Sequence, residues 1–413
     1  MGATAPRAAA WFGWVLLACL LSGRAAAQDE PRGATATPGS RLTVAGDAAV
    51  SMAPDDDAYF NYSSDAYSVL RLVRLDASAV LRLGSRLSLL GDVRAQSAIG
   101  PGQWQVRPYA LFARIRPWPR KAVDIQVGLI PPVFGAFSRS AYGNSNPLVG
   151  FPLGYQYLTS LRPDALPASA DGLLAKRGQG WRVRYPVGNA TPDHGVPLMD
   201  GLRYPLGVEL HAGVRPVEAS VAVTTGSLST PDTRDVGKRP QISGRIAVRP
   251  TAGLVVGASA SRGAFFARSL TASLAAPADN GTNDQRAIGF DAEYSRGYWI
   301  VRAESIVSSW RLSQLDLLLS DHPLRAFSLD MESRYRIRPG LYAAIRVDRL
   351  DFSEVCGSVS CLPWDAPIRR VEIGGGYSIR RNMVVKTAYQ YNRREATVRR
   401  TSGLVSAQLV VWF

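Results

Sequence analysis

The sequence predicts an all-β fold: a transmembrane antiparallel β-barrel of 16–18 strands with an inward-folded constriction loop. Three observations carry that prediction. From about residue 40 onward, apolar side chains recur with period two and almost no helical period. The connections between these stretches are short and long in turn, as in barrels whose tight turns face one side of a membrane and whose loops face the other. The chain ends on one more alternating stretch, closed by an aromatic residue, Phe413.

Composition narrows the class. The chain has 413 residues, 46% hydrophobic and 20% charged, too apolar for a disordered protein. A mean hydropathy of −0.04, with no long uncharged run beyond the N-terminus, excludes a helical-bundle membrane protein. A net charge of +15 would ordinarily suggest a nucleic-acid partner. Here the basic residues are spread along the chain, and only Lys121, Lys176, Lys238 and Lys386 are lysines. No nucleic-acid partner is expected.

Residues 1–27 read as an export signal. Arg7 supplies the positive start, Trp11 to Leu21 an apolar run too short to span a bilayer, and Ala25-Ala26-Ala27 a small-residue cleavage site before Gln28. A competing reading is a lipobox, Leu16-Leu17-Ala18-Cys19, in which Cys19 would carry lipid. Residues 28–40 are expected to be a flexible segment and 41–413 the barrel. Without Arg7 and Arg24 the exported chain keeps a net charge of +13.

Strands are expected near 41–51, 68–82, 86–97, 104–116, 123–130, 170–176, 180–186, 205–215, 217–226, 241–248, 253–262, 285–295, 298–308, 324–338, 340–350, 368–379, 382–392 and 404–413. The 170–186 hairpin has the weakest pattern, and omitting it leaves sixteen strands. The alternation is clear elsewhere. Leu87, Leu89, Gly91, Val93 and Ala95 oppose Arg86, Ser88, Asp92, Arg94 and Gln96. Leu341, Ala343, Ile345 and Val347 oppose Arg346 and Asp348. Turns fall at Gly84-Ser85, Arg249-Pro250, Arg296-Gly297 and Arg338-Pro339-Gly340, among others. Polar loops such as 227–240, 263–284, 309–323, 351–367 and 393–403 lie between them. Aromatics near strand ends (Tyr294, Trp299, Tyr335, Tyr342, Tyr377, Tyr389, Tyr391 and Trp412) fit interfacial girdles.

A barrel of this size encloses a water-filled lumen. With apolar residues toward lipid, the opposite face places Arg82, Arg86, Arg94, Arg114, Arg116, Arg182, Arg184, Arg245, Arg302, Arg334, Arg336, Arg346 and Arg370 inside. Asp92, Asp124, Glu209, Asp291, Glu293, Glu304, Asp330, Glu332, Asp348 and Glu372 accompany them. Each arginine can pair with a carboxylate of a neighbouring strand. The excess of arginine nevertheless predicts a field that gathers small anions. Segment 131–170 is too long for an ordinary connection and rich in Pro, Gly and aromatics, so it is expected to fold into the lumen as the constriction. Its charges are Arg139, Arg162 and Asp164 only, which is not the carboxylate ring of a cation pore.

The stretch Gly128-Leu129-Ile130-Pro131-Pro132-Val133-Phe134-Gly135 resembles the turn that enters the inward loop in the phosphate-selective porins O and P. In that motif Gly128, Pro132, Phe134 and Gly135 are the matching positions. With the export signal, the strand pattern and the terminal Phe413, the resemblance covers residues 40–413. It implies a homotrimeric outer-membrane channel for passive diffusion of small hydrophilic, anion-leaning solutes, with no cofactor and no catalysis. Terminal Phe413 resembles the signal read by the barrel-assembly machinery of bacterial outer membranes. The chain departs from the family in having no lysine in the loop and Pro131 where lysine is frequent, so phosphate specificity does not carry over.

Cys356 and Cys361, five apart in a polar segment of an exported chain, are expected to form a disulfide. With no histidine nearby they make no zinc site. The rival classes are a barrel enzyme of the lipase type and a closed structural or adhesive barrel. An enzyme would need one of His194, His211 and His322, and no Gly-x-Ser-x-Gly element accompanies them. Asp55-Asp56-Asp57 reads as a solvated turn rather than a calcium site.

Overall fold

The computed structural model describes residues 41–413 apart from 66, 100–102, 120–121, 141–142, 215, 232–238, 274–282, 313–322 and 397–399. The expected export segment 1–27 with Cys19, the segment 28–40, Lys121, Lys238 and His322 lie outside the described residues. The others form one closed antiparallel barrel of sixteen strands.

Numbered around the barrel in chain order, the strands are β1 Leu42–Met52, β2 Leu72–Arg82, β3 Leu87–Ala98, β4 Gln105–Ile115, β5 Ala122–Leu129, β6 Leu206–Val214, β7 Val217–Thr224 and β8 Gln241–Thr251. They continue with β9 Leu254–Ala264, β10 Asp284–Arg296, β11 Trp299–Arg311, β12 Leu324–Arg338, β13 Leu341–Phe352, β14 Ile368–Arg380, β15 Met383–Arg394 and β16 Thr401–Trp412. Every strand pairs with its sequence neighbours, and β1 closes on β16. Phe413 completes the seam: its N–H donates to Gly46 and its carbonyl accepts from the Gly46 N–H. Its ring lies over the bare Cα of Gly46, where a Cβ would collide with it. Closure removes the free sheet edges that a bilayer would not tolerate.

Alternation then decides which side chains meet lipid. Val44, Val93, Leu111, Leu210, Val221, Ile246, Phe290, Val307, Met331, Ile345, Val347, Ile373 and Val405 are all exposed on the outer face. An apolar belt of this kind is the surface of a membrane-spanning barrel. Tyr294, Trp299, Tyr377, Tyr389 and Tyr391 stand exposed with it, and Tyr335 packs on Trp299 with ring centroids 4.6 Å apart. Tyr342 and Trp412 depart from the girdle expectation. Both share the inward parity of their strands and pack against Ala49, Val384 and Val410.

The expected strands at 170–176 and 180–186 are not part of the wall. Residues 170–174 form a short helix, Ala170–Leu174, whose N-terminus is capped by the Ser169 hydroxyl accepting from the Gly172 N–H. The connection between β5 and β6 therefore runs from 130 to 205, longer than the 131–170 loop expected from sequence. The start of β1 and the end of β16 lie at the short-turn end of the barrel. Cys356 and Cys361 are joined in a disulfide at the tip of a small hairpin, Glu354–Cys356 with Cys361–Pro363, in the β13–β14 loop at the opposite end.

Candidate functional site

The inner wall is built from charge ladders that follow directly from register. Across β10–β14, Glu293, Arg302, Glu332, Arg346 and Glu372 face one another in sequence, alternating in sign. One rung along, Asp291, Glu304, Asp330 and Asp348 form a row of carboxylates that ends at Arg370. Opposite charges on directly facing strands stabilise a sheet, and like charges oppose it. The second row must therefore be stabilised by something inside the barrel. Loop 130–205 supplies part of this. Glu304 accepts from the Ala136 and Phe137 N–H groups and from the Tyr155 hydroxyl.

Loop entry depends on two glycines. Gly128 has φ +137° and lies so close to the β4 backbone that a Cβ would strike Leu111. Gly135 has φ +64°, and a Cβ there would collide with the Glu304 carboxylate and the Tyr155 hydroxyl. Phe134 between them is fully buried, while Pro132 is partly exposed. The Gly135 N–H donates to Ser259 on β9 at 3.1 Å. Farther along, Gly150 donates to Glu372 (2.9 Å), and its carbonyl accepts from Arg346 (2.8 Å). Arg346 also donates to Asn146 (2.9 Å), while Lys386 donates to the Gly143 and Asn146 carbonyls. Arg370 donates to the Phe151 and Phe60 carbonyls. The loop thus crosses the lumen and is tied to β9, β11, β13, β14 and β15.

Above these ties, at the long-loop end, the loop builds an apolar core with the wall. Tyr157, Leu161, Leu173, Tyr185 and Leu198 pack with Phe265, Trp310, Leu350, Trp364 and Ile368. The carboxylate of Asp365 fastens it, accepting from the Ser160, Gly178 and Ala366 N–H groups. Burial pushes the Asp365 carboxyl above the usual carboxylate range, against the pull of those three amides. This core fills the β9–β14 side of the mouth. A signal for it existed in the sequence: Trp310, Leu350 and Ile368 are apolar residues on otherwise polar faces.

On the other side, a small polar cavity of about 20 Å³, room for about one water, lies between the loop and β1, β2, β3 and β16. Arg74, Arg94, Gln96 and Gln408 line it from the wall, Asn146 and Phe151 from the loop. Arg94 stacks over the Tyr109 ring at 3.7 Å and pairs with Asp76. Arg74 lies 3.0 Å from Asp76 and 3.8 Å from Asp47.

The expected arginines divide into groups. Arg94, Arg114, Arg302 and Arg346 face inward as the alternation required, and each has a carboxylate partner. Arg114 lies 3.6 Å from Asp124, Arg302 bridges Glu293 and Glu332, and Arg346 bridges Glu332 and Glu372. Arg116 stands just beyond β4 at the short-turn rim, partly exposed. Arg182 and Arg184 are not wall residues, because their segment is loop, and both are exposed. Arg162 does not face the cavity. It is buried within the loop's own fold, paired with Asp164 and donating to the Val183 and Thr191 carbonyls. Burial raises the Asp164 carboxyl, but hydrogen bonds from Arg162 and Asn189 outweigh it and hold the group below its usual value. Arg139 belongs to the 3-10 turn Phe137–Ser140, and its side chain lies outside the described residues. Sequence reasoning missed Arg74, which the structure brings to the cavity, and Lys386, which holds the loop.

Two further arrangements bear on the rivals. His211 Nδ1 lies 2.9 Å from the Ser220 hydroxyl, with Asp124 in register on the far side of His211, and all three are buried. Asp124 is engaged by Arg114 and by the Gln126 amide. Asp56 closes a turn by accepting from Asn61, and among the described residues no group of His, Cys, Asp or Glu is placed to hold a metal ion.

No protein-family model matches the chain, and no curated protein matches it in sequence. Its fold is similar to that of solved outer-membrane channels. OmpF of Salmonella typhi, solved with daunomycin, superposes with a TM-score of 0.55 at 11% identity, over 90% of this chain and 97% of that one. The outer-membrane channel DcaP of Acinetobacter baumannii gives 0.54 at 10% identity, with 90% and 97% covered. The anion-selective porin of Comamonas acidovorans gives 0.52 at 10% identity, with 90% and 99% covered.

Proposed function

We propose that this chain is a porin of a bacterial outer membrane, a passive channel for small hydrophilic solutes with a lean toward anions, and not an enzyme. The observation that carries the reading is the 130–205 loop, held inside a closed sixteen-strand barrel, with the inward-facing Arg74 and Arg94 bordering a polar cavity beside it. On this reading the short-turn end faces the periplasm, and the long-loop end, filled on one side by the apolar core, faces outside. Outer-membrane lipid covers the belt, the barrel-assembly machinery reads the strand ending at Phe413, and three copies associate through their outer faces.

The charge balance at the cavity limits the selectivity. Asp47 and Asp76 offset Arg74 and Arg94, so the preference is expected to be modest. Refolded protein in a planar bilayer should give stable conductance steps and a reversal potential of anion sign across a KCl gradient. Replacing both arginines (Arg74→Gln, Arg94→Gln) leaves the two aspartates and should drive the potential to the cation side. Absence of conductance from a folded barrel would favour a closed structural barrel. The Asp124–His211–Ser220 row favours a second reading, a hydrolytic barrel, which predicts ester hydrolysis abolished by Ser220→Ala.

A further inference from the structure

We propose that Arg349, Arg369 and Arg393 form a head-group site for a phosphorylated lipid on the outer, lipid-facing surface of the barrel at its long-loop end. The three stand in one rung of the sheet. Arg349 on β13 faces Arg369 on β14, and Arg369 faces Arg393 on β15. Arg349 shares the parity of Ile345 and Val347, Arg369 that of Ile373, and Arg393 that of Tyr389 and Tyr391. All three therefore point out of the barrel, away from the lumen, and all are exposed. Directly facing like charges oppose strand pairing unless something offsets them. Elsewhere on the outer face the protein does this itself: Arg262 of β9 faces Arg286 of β10, and Asp284 pairs with both. In the β13–β15 rung Asp351 pairs with Arg349 alone. Among the described residues neither Arg369 nor Arg393 has a carboxylate within ion-pair distance, and Glu395, two residues beyond Arg393, reaches neither.

The surface beneath the rung selects the kind of anion. The next rung toward the barrel middle is Val347, Val371 and Tyr391, and the one after it is Ile345, Ile373 and Tyr389. The guanidinium groups thus cap an apolar strip three strands wide, roughly 10 Å across. Their stems can lie along that strip while the charged heads stay at its edge. A free anion would gain from the charges only. A molecule carrying phosphate on acyl chains matches both parts, with planar paired donors on the phosphate oxygens and chains laid along the strip. On the porin reading the long-loop end lies in the outer leaflet, so the occupant is a phosphorylated lipid of that leaflet. The choice of leaflet rests on that reading, and the binding does not.

In the test, detergent-folded barrel is titrated with diphosphoryl lipid A, with zwitterionic phosphatidylethanolamine and with inorganic pyrophosphate, and the bound species are counted by native mass spectrometry. Lipid A should bind at least about tenfold more tightly than either comparator, and Arg369→Gln with Arg393→Gln should remove most of that preference. The variant Arg262→Gln, Arg286→Gln loses the same charge from the rung that Asp284 offsets, and it should keep the preference. Preference retained in the first variant, or lost equally in both, overturns the inference. Pyrophosphate binding as tightly as lipid A would also overturn it, because the apolar strip would then contribute nothing. A folded barrel that never conducts sinks the porin reading and leaves each of these outcomes with the same meaning for the site.

Discussion

Arg346 shows what a single inward side chain does in this barrel. It is fully buried, pairs with Glu332 and Glu372 and donates to Gly150 and Asn146 of the loop. Replacing it with Met would remove the Glu372 ion pair and one of the two that hold Glu332, and would cut two ties to the loop. The expected cost is on the order of 3 kcal/mol, seen as a lower unfolding midpoint, together with higher and noisier single-channel conductance. Unchanged stability and conductance would mean that the loop is held by its other ties alone. The inward direction of Arg346 was legible, because Ile345 and Val347 flank it. Its partners were not, since they come from strands 14 and 26 positions away in the chain and from a loop some 200 positions away.

At the scale of elements, the entry turn and the loop it launches are the instructive case. The Gly128 to Gly135 stretch was readable as a turn into the lumen, and its glycines stand where other residues would be strained or obstructed. Gly135→Val is expected to cost about 1–3 kcal/mol from the positive φ alone, with steric conflict against Glu304 and Tyr155 added. The loop should lose its seat, making 130–205 accessible to protease in folded protein. A protected loop in the variant would show that the ties at Gly150 and Lys386 suffice. The far end of the loop was misread as a hairpin because short apolar runs such as Leu173-Leu174 have no period of their own. Their burial comes from Phe265, Trp310 and Trp364 on distant segments.

For the whole molecule, position along the barrel axis sorts the chemistry. The long-loop end is apolar and packed, the middle carries paired charges, and the short-turn end carries arginines. The disulfide belongs to the first of these but not to the wall, since its hairpin pairs only with itself. Closing so short a loop contributes about 2 kcal/mol to that hairpin by chain entropy. Cys356→Ser with Cys361→Ser should therefore leave barrel assembly, conductance and reversal potential as in the parent chain. Loss of folded barrel would mean that the hairpin is needed for closure.

The sequence by itself determined the sheet. Period two and the alternation of turns with loops are local, so strand count within two, barrel class and inward parity could all be read from neighbouring residues. The tertiary structure alone decided which arginines remain available. Pairing of Arg94 with Asp76, burial of Arg162 inside the loop and the approach of Arg74 to the cavity depend on register and on where a 76-residue connection settles. Both are set by contacts between residues far apart in the chain, and no local pattern records them.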